Sequence, residues 1–198
     1  MVSIYIVRMS ANSNAGFVDQ LLSTAASADG GSAIEEEVVA LFGKLRHPLL
    51  RYVCAFGVSA SDGEELVQEA FLALFEHLRR GKSRASLHGW LFRVCHNLAL
   101  KHRGRLRGTN GVPNTDLDWP DAAADESPNP EELFVETQRR HKLQSVLHAL
   151  PEQDRCCVCL RAEGLRYRDI AEILGISLGA VSASLARSLA RFERADHE

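Results

Sequence analysis

Apolar residues along this chain recur at three- and four-residue intervals, so every strongly patterned stretch predicts a helix. In residues 33–57 the apolar positions Val38, Leu41, Leu45, Leu49, Tyr52 and Val53 predict a helix broken or bent near Pro48. Gly57 to Gly63 reads as a connector. Ser61-Asp62-Gly63-Glu64 then has the form of a capping box, with a hydroxyl and a carboxylate three residues apart. The helix it opens carries one continuous apolar stripe: Leu66, Val67, Ala70, Phe71, Leu74, Phe75 and Leu78. Glu65, Gln68, Glu69, Leu72 and Glu76 fall on the opposite side. A basic loop, Arg79–Ala85, leads to a helix over Leu87–Arg103. Its inner stripe is Leu91, Val94, Cys95 and Leu98, while Arg93, His96, Asn97 and Lys101 share another face. Trp90 reads as core rather than as a stacking platform.

The C-terminal part repeats the same language. Asn129-Pro130-Glu131-Glu132 is a helix start, with asparagine as cap and proline at the first helical position. Leu143, Val146, Leu147 and Leu150 form its stripe. Pro151-Glu152 begins a helix to about Glu163, which Gly164 ends. Tyr167–Phe192, YRDIAEILGISLGAVSASLARSLARF, then predicts two helices and a tight turn. Ala171 lets the helices cross closely, Gly175 permits the turn, and Val181 fills the space between them. Ser177 is the expected N-cap of the second helix, Leu178–Arg194. No segment reads as a strand and no internal repeat is present. The expected fold class is all-α: two helical domains joined by a flexible acidic linker. The expected divisions are an N-terminal tail over 1–31, holding a short helix at Phe17–Ala26, a first domain over 32–107, a linker over 108–130 and a helix-turn-helix domain over 131–198.

Composition narrows the class. The chain has 198 residues, 45% of them hydrophobic and 25% charged, which suits packed cores in water. No run approaches the ~20 apolar residues of a membrane span. The N-terminal MVSIYIVRMS lacks the basic region and the length of a secretory signal. A cytoplasmic protein without membrane insertion is expected. The five cysteines, Cys54, Cys95, Cys156, Cys157 and Cys159, are odd in number and scattered, which argues against a disulfide framework. Cys156, Cys157 and Cys159 lie in a helical apolar pattern with no histidine at ligand spacing. They are expected to pack as small hydrophobes, so no metal and no cofactor is expected.

The net charge of −3 hides a strong asymmetry. Arg79, Arg80, Lys82, Arg84, Arg93, Lys101, Arg103, Arg105 and Arg107 fall in 29 positions without an Asp or Glu. Five acids and no base follow between Gly108 and Pro130. Such a cationic block suits phosphate contacts, which supply most nonspecific nucleic-acid affinity.

Asp62–Leu78 (DGEELVQEAFLALFEHL) with Trp90–Leu100 (WLFRVCHNLAL) resembles region 2 of the extracytoplasmic-function sigma factors, the small two-domain members of the bacterial sigma-70 family. Leu150–Phe192, from LPEQDR through GLRYRDIAEILGIS, resembles their region 4. The resemblance covers about residues 34–192, in the right order and with the intervening tether. It implies a protein that binds core RNA polymerase and the −10 and −35 elements of promoter DNA. It implies no catalysis by this chain, since the polymerase supplies it. An anti-sigma factor is an implied partner.

Carried over residue by residue, the resemblance assigns Glu65, Gln68, Glu69 and Leu72 to polymerase binding. A carboxylate-and-amide face suits a basic helical partner. It assigns Arg79, Arg80, Lys82, Arg84, Arg93, His96, Asn97, Lys101 and Arg103 to the −10 element. It assigns Arg166, Arg168, Ser177, Ala180, Ser182, Ala183, Ser184 and Arg187 to the −35 element. Ser182 and Ser184 stand where family members commonly carry Lys and Arg. Weaker or retargeted −35 reading is expected, leaning on phosphate contacts, groove shape or a partner. Two other classes stay open at this point: a helix-turn-helix regulator acting without polymerase, and a redox or metal-dependent switch built on the cysteines.

Overall fold

A computed structural model describes residues 31–108 and 142–196. The expected helix Phe17–Ala26, the linker beyond Gly108 and the helix start at Asn129 lie outside the described residues. Among the described residues all regular structure is helical. The helices are α1 Gly31–Ala55, α2 Ala60–Arg79, α3 Leu87–Gly108, α4 Glu152–Ala162, α5 Tyr167–Leu174 and α6 Leu178–Asp196, with a further helical segment at 142–148.

α1 departs from expectation by running unbroken through Pro48. Proline inside a helix removes one backbone bond and costs roughly 3 kcal/mol. Buried side chains hold the helix on both sides of it: Val38 and Phe42 before, Leu49, Leu50, Tyr52 and Val53 after. Packing against α2 and α3 therefore outweighs the local preference for a break. The Phe42 ring meets the Phe71 ring edge-on at 5.0 Å, and Arg46 grips Glu64 with two hydrogen bonds of 2.7 and 3.1 Å.

The start of α2 lies two residues earlier than its sequence pattern suggests. Ser59, not Ser61, is the N-cap: its Oγ accepts from the Asp62 amide at 3.1 Å and donates to the Asp62 carboxylate at 2.6 Å. Ser59-Ala60-Ser61-Asp62 has the same hydroxyl-to-carboxylate spacing as the expected box, so the two frames compete locally. Packing settles the competition. Gly63 is buried where α2 crosses α1, and a Cβ there would sit 2.9 Å from Leu50 Cδ1. The predicted stripe from Leu66 to Leu78 is buried throughout.

α3 extends to Gly108, a turn or more beyond Arg103. Leu91, Phe92 and Cys95 are fully buried on it, and Phe92 packs edge-on against Tyr52 at 5.5 Å. Val94 and Trp90 are only partly buried against that core. α5 and α6 turn by 105° about Gly175, which adopts the left-handed conformation at φ 66°. Val181 and Ile170 are fully buried between them.

The two helical modules form one body rather than two bodies apart. A single connected core runs from Val38 in α1 to Leu185 in α6. α1 packs on α4 and α3 packs on α5. Hydrophobic periodicity shows which face of each helix is buried, but not against which module.

Candidate nucleic-acid and polymerase interfaces

Glu65, Gln68, Glu69 and Leu72 lie at helical offsets of three, four and seven on α2, so they form one stripe opposite the buried one. Glu65 and Glu69 are exposed and Gln68 is half-buried. Leu72 is exposed, an apolar side chain set among acids. The stripe offers two carboxylates, an amide and one hydrophobic contact to a partner.

The basic loop after α2 is shaped by its neighbours. Gly81 takes φ 65° and Ser86 takes φ 56°, so the chain reverses twice between α2 and α3. His77 Nε2 lies 3.0 Å from the Ser83 carbonyl, and its ring lies 4.7 Å from that of Trp90. Trp90 thus supports the loop from beneath. The cations on the loop point outward. Arg79 lies over the Phe75 ring, Arg80 pairs with Glu76 at 3.0 Å, Arg84 reaches Glu37 at 3.0 Å, and Lys82 is exposed.

On α3 the spacing of four places Arg93, Asn97 and Lys101 along one exposed ridge. Two of the expected −10 contacts are corrected. His96 is buried, with Nδ1 2.8 Å from the Tyr52 hydroxyl and its ring edge-on to Phe56. Burial holds its pKa below the ordinary value, an effect that Arg103 assists and Glu152 opposes. A neutral buried imidazole does not contact phosphate. Arg103 stacks over Phe56 at 4.5 Å, donates to the Phe56 carbonyl at 3.1 Å and pairs with Glu152 at 2.9 Å. With its side chain only 17% exposed, it ties the fold together rather than projecting to a ligand.

The helix-turn-helix is built largely as its spacing predicts. The Ser177 hydroxyl accepts from the Ala180 amide at 3.1 Å and caps α6. Gly175 donates its amide to the Ala171 carbonyl and closes α5. Arg166 and Arg168 are exposed near the start of α5, and the Arg166 amide is capped by Asp169 at 3.2 Å. Ser182 and Ala183 are exposed on α6, and Ala180 is half-buried. Ser184 is corrected: it is fully buried, within hydrogen-bond reach of Gln153 and Arg187. It faces α4, not solvent.

Asp154 was not legible as a site residue. It is buried on α4 and accepts two hydrogen bonds from Arg187, at 2.7 and 3.2 Å. Burial pushes its pKa up, but hydrogen bonds from Arg187 and Ser184 and the nearby Arg187 and Arg191 charges outweigh burial and hold it below the ordinary value. The signal in the sequence was a lone acid on the apolar side of the Cys156, Cys157 and Leu160 pattern. Arg187 consequently has one edge of its guanidinium occupied within the protein.

All five cysteines are buried and free. Burial pushes the Cys159 thiol up to about 12 and raises those of Cys95, Cys156 and Cys157. Protonated buried thiols are poor nucleophiles and poor ligands. Among the described residues no group of three or more His, Cys, Asp or Glu could hold a metal ion. No single described helix is long and apolar enough to cross a membrane.

An acidic helical stripe, a cationic loop-and-helix and a helix-turn-helix in one chain define a two-module helical transcription factor. Comparison with known proteins makes the class specific. The Sigma-70 region 2 family model matches residues 41–109 and the Sigma-70 region 4 family model matches residues 140–192, together more than half of the chain. The ECF RNA polymerase sigma factor SigE of Mycolicibacterium smegmatis is 34% identical over 142 residues, covering 69% of this chain and 53% of SigE. This chain therefore spans about half the length of that relative. The RNA polymerase sigma-H factor of Pseudomonas aeruginosa is 27% identical, over 77% of this chain and 82% of the relative. The ECF RNA polymerase sigma-E factor of Escherichia coli is 29% identical, over 66% and 72%. In fold, the chain resembles the sigma factor RpoE from Bartonella quintana, solved with the anti-sigma factor NepR, at 20% identity and a TM-score of 0.53 over 79% of this chain and 96% of that one. It likewise resembles CnrH, solved with the cytosolic domain of CnrY, at 19% identity and a TM-score of 0.52 over 90% and 94%. The chain belongs to the sigma-70 family, in its extracytoplasmic-function group.

Proposed function

We propose that this chain is the promoter-specificity subunit of an RNA polymerase holoenzyme, with region 2 over 32–107, a tether over 108–130 and region 4 over 131–198. The Glu65, Gln68, Glu69 and Leu72 stripe docks on a basic helical element of core polymerase. Arg79, Arg80, Lys82, Arg84, Arg93, Asn97 and Lys101 hold the −10 element, arginines on phosphates and Asn97 at a base edge. Arg166, Arg168, Ala180, Ser182, Ala183 and Arg187 face the −35 element, and Ser177 acts as the cap that sets the angle of α6. The chain supplies recognition and strand capture, and the polymerase supplies catalysis. It works in the cytoplasm, where the polymerase and its promoters are. An anti-sigma factor is a fitting inhibitor, as both solved relatives are complexes with a regulatory partner.

The observation that carries this reading is the coexistence of both family regions, in order, with an exposed acidic stripe on one helix and a cationic ridge on the next. A plain helix-turn-helix regulator needs neither the stripe nor the ridge. Run-off transcription with purified core polymerase on a randomised promoter library tests it. Start-site-specific transcripts that depend on the added chain are expected. Failure to bind core polymerase, or transcripts independent of the chain, would overturn the proposal.

A further inference from the structure

The contact between the two modules has a polarity of its own. Three arginines of the first module meet three glutamates of the second: Arg51 with Glu163 at 2.8 Å, Arg93 with Glu172 at 2.6 Å, and Arg103 with Glu152 at 2.9 Å. Arg155 of α4 reaches back to the Ala55 carbonyl at 2.6 Å. Beneath these contacts the seam is apolar and tight. The Tyr52 hydroxyl is in hydrogen-bond reach of Cys156, and a Cβ on Gly89 would lie 3.9 Å from Leu165. A cleft of about 240 Å³ remains between the basic loop and α5, lined by Ser86, Trp90 and Arg93 on one side and Asp169, Glu172 and Ile173 on the other.

The geometry points to an intramolecular docking surface: α4 and α5 of region 4 bind region 2 of the same chain and shut part of its −10 face until core polymerase separates them. The inference rests on the promoter-reading role proposed above for Arg93. A guanidinium held 2.6 Å from a carboxylate is already neutralised, so Glu172 stands where a DNA phosphate would. The recognition helix α6 takes little part in the seam, which is made by α4 and α5. The polymerase-binding stripe on α2 stays open, with Glu65 and Glu69 exposed and Leu72 bare. One interface is available and the other is partly closed, so the closed chain meets polymerase first and promoter second. Polymerase opens the chain only by binding the open form more tightly than the closed one.

The seam thiols report the state of the full-length chain. Cys156 and Cys159 face Tyr52 and Arg51 of the first module, whereas Cys157 lies against Ser184 within the second. Iodoacetamide labelling mapped by mass spectrometry is expected to leave all five cysteines protected in the free chain. Adding core polymerase is expected to expose Cys156 and Cys159 but not Cys157. In parallel, E163Q/E172Q is compared with E36Q/E193Q, which removes the same charge away from the seam, for binding a fluorescein-labelled single-stranded DNA 20-mer of mixed sequence. The seam variant is expected to bind about five-fold tighter than the control, the effect of losing two partly exposed ion pairs.

Equal affinity of the two double variants would overturn the inference, as would Cys156 and Cys159 labelling freely in the isolated chain or staying protected on polymerase. If the chain directs transcription yet its seam thiols are always reactive, the sigma-factor reading stands and the docking surface falls. If the chain never engages polymerase, the sigma-factor reading falls, and the labelling of free wild-type and E163Q/E172Q chains still decides whether the seam closes.

Discussion

Asp154 and Arg187 lock α4 to the recognition helix through two hydrogen bonds of 2.7 and 3.2 Å. The carboxylate is 2% exposed, so it depends on that guanidinium for compensation. Asp154→Asn keeps the shape but loses the charge-assisted bonds, and is expected to destabilise the chain by about 1–3 kcal/mol. Arg187→Ala leaves the buried carboxylate without its main partner and is expected to lower the unfolding midpoint further than Asp154→Asn does. Urea denaturation of both variants at pH 7.5 checks the order. A reversed order would mean that water, not Arg187, satisfies the carboxylate.

The same pair predicts an acid limb. The pKa of Asp154 is lower in the folded chain than its ordinary 3.8, because bonds from Arg187 and Ser184 outweigh burial. A depressed carboxylate stabilises the fold fully above its unfolded pKa and loses that contribution as pH falls through the folded value. The stability gap between wild type and Asp154→Asn is therefore expected to be constant above about pH 5 and to shrink below about pH 4. Denaturation midpoints from pH 7 down to pH 3 measure it. A gap that does not narrow would show that the carboxylate charge is not what holds Arg187.

Much of the architecture was written in local pattern. The stripe Leu66 to Leu78, the Gly175 turn and the Ser177 cap each depend on neighbours within one helix or one turn, and all are where their spacing puts them. What sequence could not show depends on partners far along the chain. Pro48 reads as a break because the packing that overrides it comes from α2 and α3. Ser59 and Ser61 offer rival caps, and only the α1 crossing at Gly63 chooses between them. His96 and Ser184 are polar residues one position away from exposed ones, so periodicity places them near the surface. The partners that bury them, Tyr52 and Gln153, are 44 and 31 residues away. The seam escaped because its arginines and glutamates are ordinary surface residues until the modules meet.

His96 gives a second pH dependence, near neutrality. It faces Tyr52 and Phe56 of α1, Arg103 of its own helix and Glu152 of α4, and burial keeps its pKa below the ordinary 6.5. Between the folded value and 6.5 the unfolded chain binds more protons, so stability is complete above about pH 6.5 and declines as pH falls. His96→Gln retains a group able to bond Tyr52 but cannot titrate. Its stability is expected to change less than that of wild type between pH 7.5 and 5.5, as read by chemical denaturation. Equal losses in both proteins would assign the effect to other histidines.

Gly175 separates conformational strain from crowding. Its φ is 66°, and a Cβ there would meet nothing within 4 Å. Gly175→Ala is thus expected to cost about 1 kcal/mol through backbone strain alone. Gly175→Asn should cost less, because asparagine tolerates the left-handed region. Urea unfolding with an unchanged m-value checks both. If the two variants were equally destabilised, the strain account would fail.

The two serines of the recognition helix, alike in sequence, should behave in opposite ways. Ser182 is exposed on the face of α6 that would meet DNA, so Ser182→Lys adds a cation where a phosphate can lie. Binding to a −35 duplex selected by the holoenzyme is expected to tighten, with the salt dependence steepening by about 0.9 in log–log slope, as for one more neutralised phosphate. Ser184 is fully buried against α4, beside Gln153 and Arg187. Ser184→Arg must force a guanidinium into that contact, next to a like charge, and is expected to lower the unfolding midpoint without a gain in DNA affinity. Thermal unfolding and a salt series on both single variants decide the point. A stable Ser184→Arg chain with a steeper salt slope would mean that α6 rotates about its axis on DNA, bringing the buried face outward.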